Sequence, residues 1–231
     1  MAADFDADGD TDFIVGNLGT NTAFKASENE PLTITYKDFD NDGVIDPILC
    51  NYIQHQSFPT ATRDELFDQM PSLQKKFSRY QLYADAQLKD IFTAEQLANS
   101  TVACINNLNS IYLSNEGNRK FSIHPLPEYA QMSMINGLVI TKTKNELNDI
   151  ILAGNFYPFR VQQGPLDAGI GLVLANNGKG EFTPKPFAET GLNIGGDVRN
   201  IITVQAGKNT LLIAVKNNGA VQVIKKWDSS F

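Results

Sequence analysis

Cysteine, histidine and tryptophan are nearly missing from this chain. Its 231 residues include two cysteines, two histidines and one tryptophan. Two cysteines, Cys50 and Cys104, cannot build a disulfide framework or a four-ligand zinc site. A single bridge between them is open, and buried free thiols are the simpler expectation. His55 and His124 lack any metal-ligand spacing and read as hydrogen-bonded loop residues. No apolar run approaches about 18 residues, so no segment reads as a membrane span. The net charge of −7 removes a general nucleic-acid binder. No G-x-S-x-G elbow, Walker loop or H-E-x-x-H occurs, and "GNLGTN" lacks the glycine spacing and the following helix of a dinucleotide site. The expectation is a protein that is not an enzyme, with no catalytic residue named.

What the chain does have is local acidity. "DFDADGDTDFIVGN" (4–17) and "DFDNDGVIDPILCN" (38–51) hold nine of the 26 acidic residues. The remaining 17 face 19 bases and nearly cancel. Both stretches follow D-x-D-x-D-G-x-x-D. Asp4, Asp6, Asp8 and Asp12 occupy positions 1, 3, 5 and 9 of the first, with Asp38, Asp40, Asp42 and Asp46 in the second. Alternating carboxylates on a tight loop converge on one point and repel unless a hard cation sits there. Calcium takes six to eight oxygens. Glycine at position 6 (Gly9, Gly43) permits the turn, and the carbonyl at position 7 (Asp10, Val44) faces the ion. Two calcium ions are expected. Position 12, acidic in an EF-hand, is Val15 or Leu49, and β-branched runs flank the loops, so each loop joins two strands.

A second echo concerns hairpins. "LSNEGNRKFSIHPL" (113–126) and "LANNGKGEFTPKPF" (174–187) share L-x-N-x-G-x-x-x-F, and "VKNNGAVQVIKK" is a weaker third copy through Asn217, Gly219 and Val223. Asn-Gly between apolar runs signals a hairpin. Repetition at this spacing predicts blade-like units. The first carries loop one and is cut short, since only three residues precede Asp4. The second runs from "PLTITYKDF" to "KFSIHPLP". The third runs from "INGLVITK" to "GEFTPKP", and the fourth from "DVRNIITV" to "AVQVIKKW". The third has Thr141, Thr143 and Asn145 where ligands would fall, so no calcium is expected there although Asp149 holds position 9. Residues 62–99 interrupt the second unit as a helical insertion. Thr62 with Glu65, and Thr93 with Gln96, fit capping boxes. Leu66, Phe67, Met70, Leu73, Phe77 and Tyr80 form a stripe expected to pack on the parent domain.

The strand–calcium loop–strand unit resembles the FG-GAP repeat of integrin-like β-propellers, also described as the VCBS repeat. With "EYAQMSMINGLVI", "AGNFYPFRVQQGPLDAGIGLVLANNGKGEF" and "GGDVRNIITV", nearly the whole chain resembles the C-terminal region of large Bacteroidetes VCBS-repeat proteins related to the cartilage acidic protein group. The resemblance implies a mainly β fold: a partial β-propeller of about four blades over residues 1–231 with an α-helical insertion, cut from a longer protein. It further implies an exported, cell-surface or outer-membrane-associated location. The expected function is a noncatalytic, calcium-stabilised module that contacts a protein or glycan, with no nucleic acid and no membrane insertion. Its alternatives are part of a polysaccharide-lyase-like enzyme or a purely structural segment. In "NFYPFRVQQGPLDAG", Phe156, Tyr157, Phe159, Arg160 and Asp167 combine aromatic and charged groups suited to such contacts.

Overall fold

A computed structural model describes residues 1–142 and 147–225. Its strands are β1 (Ala2–Ala3), β2 (Asp12–Val15), β3 (Leu32–Lys37), β4 (Asp46–Ile53), β5 (Gln56–Pro59), β6 (Thr101–Ile105), β7 (Ile111–Asn115) and β8 (Phe121–Pro125). They continue with β9 (Ile135–Lys142), β10 (Asn148–Gly154), β11 (Leu172–Asn176), β12 (Phe182–Lys185), β13 (Val198–Ala206), β14 (Asn209–Lys216) and β15 (Gln222–Lys225). Short helices are α1 (Arg63–Gln69), α2 (Tyr80–Tyr83), α3 (Leu88–Ile91), α4 (Ala94–Leu97) and α5 (Phe187–Thr190). The fold is mainly β. The strands form four antiparallel sheets: sheet I (β1-β2-β7-β8), sheet II (β5-β4-β3-β6), sheet III (β12-β11-β10-β9) and sheet IV (β13-β14-β15). Among the described residues there is no closed propeller.

The chain divides into two compact units where one region was expected. Phe24–Leu108 forms one; Met1–Ala23 and the chain from Asn109 onward form the other. The first Asp loop belongs to a four-stranded sheet whose first strand is the two residues Ala2–Ala3. β1 pairs with β2 ahead of it, and the hairpin β7–β8 completes it from far along the chain. That hairpin, "LSNEGNRKFSIHPL", was expected to close the second unit. It joins sheet I because Ile14 and Tyr112, cross-strand partners, share one buried face, and because Asp12 accepts the Asn115 amide. The third Asn-Gly copy also differs in role. Its turn joins the second and third strands of a three-stranded sheet, not the last pair of a four-stranded one.

In the larger unit the sheets pack through two cores. Phe5, Ile14 and Tyr112 of sheet I and its loop meet Ile150, Leu152 and Leu174 of sheet III. Val139, Ile151, Ala153 and Val173 of sheet III meet Val198, Ile201, Leu212 and Ala214 of sheet IV. Alternate residues of β10 thus serve opposite cores. This is why "DIILAG" lacks polar alternation: both its faces are covered.

In the smaller unit the helical insertion packs on sheet II. Leu66, Met70, Leu73, Phe77, Ile91 and Phe92 share a core with Phe39, Ile48 and Cys50. Both expected capping boxes form, and Gln87 with Asp90 makes a third. The helices are single turns and short pieces. Tyr80 leaves the expected stripe. It is 63% exposed, donates to Asp64 at 2.6 Å, and carries the Arg63 guanidinium 3.6 Å from its ring centre. Capture of both polar groups outweighs burial of one ring. Thr33 pairs with Cys50 on one side and Cys104 on the other. Their backbones are two strand spacings apart, roughly 9–10 Å, too far for a bridge. Both cysteines are free. Among the described residues no helix is long and apolar enough to cross a membrane.

Candidate functional site

The two Asp loops repeat one hydrogen-bond pattern. The position-1 carboxylate takes the glycine amide: Gly9 to Asp4 at 3.1 Å, Gly43 to Asp38 at 2.9 Å. The position-3 carboxylate takes the position-5 amide: Asp8 to Asp6, and Asp42 to Asp40, both 3.3 Å. The position-5 carboxylate takes the position-7 amide: Asp10 to Asp8 at 2.8 Å, Val44 to Asp42 at 2.7 Å. Position 9 is buried and takes the position-2 amide: Phe5 to Asp12 at 3.0 Å, Phe39 to Asp46 at 2.9 Å. Gly9 and Gly43 stand at φ +95° and +90°, with nothing near where a side chain would go. Glycine is needed there for backbone freedom, not for space. Position 4 is also left-handed in both loops, Ala7 at +63° and Asn41 at +61°. Asparagine adopts that region more readily than alanine does.

In each loop three of the four expected carboxylates bring oxygens together. In loop one, Asp4, Asp6 and Asp8 each bring an oxygen within 4.8 Å of the others; in loop two, Asp38, Asp40 and Asp46 do so. Oxygens 2.3–2.6 Å from one ion lie no more than ~5 Å apart, a limit that both triads respect. The donors are all hard oxygens, which favours calcium or magnesium over softer metals. Asp12 in loop one and Asp42 in loop two stand outside these triads. Asp10 and Val44 supply the position-7 backbone. Desolvation, then the charges of Asp12 and Asp8, raise the Asp6 carboxyl above its ordinary 3.8. Desolvation, then Asp42 and Asp46, raise Asp40 likewise. Unneutralised charge is crowded in both loops.

Sequence reasoning treated position 9 only as a ligand. It is also a clamp. Asp12 receives the amides of Phe5 and Asn115 (2.8 Å) and the Tyr112 hydroxyl (3.0 Å). Burial, and then Asp12, push the Tyr112 phenol well up, so it stays a donor. Asp149 makes the matching bond in sheet III, taking the Asn176 amide at 2.9 Å. Asn115 and Asn176 in turn accept the amides of Gly117 and Gly178. Thr141 pairs with Asp149 across the sheet, while Thr143 and Asn145 lie outside the described residues. Position 2 was overlooked too. Phe5 and Phe39 are both buried, Phe5 edge-on to Tyr112 and Phe182, Phe39 stacked on Phe92 at 4.1 Å. The shared "DFD" carried that signal.

The aromatic loop lies in the larger unit. Phe156 is half-buried, pairs with Leu166, touches the Phe159 ring at 6.1 Å and lies under Arg199 at 5.2 Å. Arg160 is half-buried, and its carbonyl takes the amides of Gln163 and Gly164. Asp167 is exposed. Tyr157, 47% exposed, lines a recess of about 380 Å³ with Asp197 and Lys216, which the sequence reading did not single out. His55 pairs with Glu30, and His124 stacks on Tyr112. No protein-family model, curated protein or solved structure matches this chain.

Proposed function

We propose that this chain is a noncatalytic, calcium-stabilised module of an exported or cell-surface protein, its sheets acting as blades of a partial β-propeller and its loops contacting a protein or glycan. One observation carries the reading. Two loops in separate units repeat the same four carboxylate–amide bonds, and each brings three carboxylate oxygens within 4.8 Å. Bound calcium neutralises the crowded carboxylates and ties each strand–loop–strand unit into one rigid turn. Asp4, Asp6 and Asp8, and Asp38, Asp40 and Asp46, would hold it, with the carbonyls of Asp10 and Val44 beside them. Asp12 holds loop one to its sheet whether or not calcium is present.

Small, partly exposed loop sites of this type suit the millimolar calcium found outside cells, where modules bind with a Kd of roughly 10⁻⁴–10⁻³ M. The contact role rests on the aromatic and charged residues around Tyr157. Titration calorimetry on metal-stripped protein tests the calcium reading. Two equivalents are expected, one lost in Asp4→Ala/Asp6→Ala and the other in Asp38→Ala/Asp40→Ala. No heat, or a third site at 141–149, would defeat it. A glycan array with calcium present tests the contact reading.

A further inference from the structure

We propose that the recess beside Tyr157 binds one sugar ring of a glycan, with an acidic sugar preferred; the inference rests on the glycan-contacting reading above and gives it a place. Three segments of the larger unit make the walls. Tyr157 and Pro158 follow β10, Gly196 and Asp197 precede β13, and Lys216 to Gly219 form the turn after β14.

Asp197 is the singular group. It is 1% exposed. Its Oδ2 accepts from Arg199 at 2.8 Å and from the Asn217 side chain at 3.0 Å, while its Oδ1 has no hydrogen-bond partner. Buried carboxylate oxygens are ordinarily paired. The related corner of sheet III leaves no such acceptor unpaired on its asparagine. Asn217 donates its amide to the Asp197 carbonyl, as Asn155 does to that of Met134. There Asn155 spends its whole side chain. Its Oδ1 accepts from Ser133 (2.7 Å) and Gly169 (2.9 Å), and its Nδ2 donates to the carbonyls of Gly169 and Gly196. The sheet IV corner leaves an acceptor over.

The surrounding groups define what could use it. Asp197 Oδ1 is closed to solvent as the structure stands, so a sugar hydroxyl, which both donates and accepts, would pair with it through a small turn of the Asp197 side chain. The half-exposed ring of Tyr157 offers a flat apolar face to the C–H side of a pyranose. Lys216 donates to Gln222 at 2.8 Å, and an ammonium has further donors for sugar oxygens or a sugar carboxylate. With Arg199 neutralising Asp197, Lys216 leaves the recess net positive, hence the acidic preference. Its size, about 380 Å³, is near the lower end of small-ligand sites and suits one ring rather than an extended chain.

Amide NMR spectra of the calcium-loaded protein, titrated separately with the methyl glycosides of glucuronic acid and glucose, test this. Shifts should centre on Tyr157, Gly196 and Asn218, with the glucuronide binding more tightly. Tyr157→Ala should weaken it about tenfold, an effect of the size expected for a lost stacking contact. Lys216→Met should erase the difference between the two sugars. Both positions are at least partly exposed, so their melting temperatures should match the parent's. Asp197→Asn, which keeps the shape, should lower affinity if it folds. Glycoside shifts elsewhere with none here would overturn this site and leave the glycan reading standing. Binding on the glycan array that survives Tyr157→Ala and Lys216→Met would do the same. No glycoside shifts together with a blank array would overturn both.

Discussion

Loop one is tied to strands: Asn115 and Tyr112 hold Asp12, while Asn148 and Asn176 of sheet III donate to the carbonyls of Asp4 and Phe5 at 2.8 Å. Loop two is tied to a helical insertion: Gln69 of α1 donates to Asp46 at 3.2 Å, and Phe92 stacks on Phe39. Within the loops four carboxylate–amide bonds match position for position, and only the second amide taken by position 1 differs, Ala7 in loop one and Asp42 in loop two. Carboxylate convergence is therefore local chemistry, written in nine consecutive positions. Anchorage is tertiary, and one loop accepts two unrelated supports. Position 9 joins the two levels, because its aspartate faces both the loop and the core.

The comparison breaks most visibly on removing calcium. On the proposed reading, at free calcium ~100 times the Kd each site would add roughly 2.7 kcal/mol. The same energy moves a small domain further than a large one. Chelator should lower the melting of the Phe24–Leu108 unit by roughly 10–20 °C and that of the larger unit by about 5–10 °C. Cys50 reports the former. Its thiol is fully buried and burial pushes its pKa up to about 11, so alkylation requires that unit to open. Asp38→Ala/Asp40→Ala should speed Cys50 alkylation and Asp4→Ala/Asp6→Ala should not. Equal acceleration by both would show that the loops do not act on separate units.

Clamp and cage separate at the next size of effect. Asp12→Ala leaves two amides and a hydroxyl without their acceptor. It should cost about 3 kcal/mol or more, in chelator as in calcium. Asp8→Ala should cost stability only when calcium is present. Denaturant titrations of both variants, with and without chelator, settle it. An Asp12→Ala penalty that vanishes in chelator would make position 9 a ligand alone.

Loop one can also be made more like loop two. Ala7→Asn places at φ +63° the residue that loop two has at +61°. It should stabilise the larger unit by up to ~1 kcal/mol, visible as a higher denaturation midpoint. A loss would mean the position-4 side chain does other work in loop one.

The smallest effect is a pH dependence. Asp6 and Asp40 have folded-state pKa values raised above 3.8. The folded chain then binds more protons than the unfolded one just above that pH, so in chelator both aspartates cost stability as pH rises from 3.8 through the raised values. Relative to the parent, Asp40→Asn should gain stability over that window in chelator and lose it at neutral pH in calcium. A flat difference between parent and variant in chelator would remove the crowding argument.

What the sequence disclosed follows the same divide. The loops, the capping boxes and the Asn-Gly hairpins were legible because each is set by residues within about ten positions. The partner of β2 was not. Nothing near Phe13 or Val15 announces that Leu113 and Ile111 will lie beside them, and the intervening "LTITYKDF" is an equally good strand. Tyr80 kept helical spacing but found Asp64 and Arg63, a choice made by side chains. Asp197 follows two glycines and looks like a turn residue. Only the fold places Arg199 and Asn217 on one of its oxygens and leaves the other free.

The pairing of β2 with β7 also sets a timetable. β2 ends at Val15, and its neighbour begins at Ile111. A ribosome adding about 5–20 residues per second needs roughly 5–20 s to deliver that neighbour. Meanwhile the whole Phe24–Leu108 unit emerges and can fold, while Phe13, Ile14 and Val15 wait with a bare strand edge. Such an edge invites pairing with other nascent chains on the same message. Two charges stand just ahead of it, Asp10 and Asp12, and Asp8, Asp6 and Asp4 precede them. Charges beside a strand edge disfavour that pairing, and the acidic run of loop one stands where they would act.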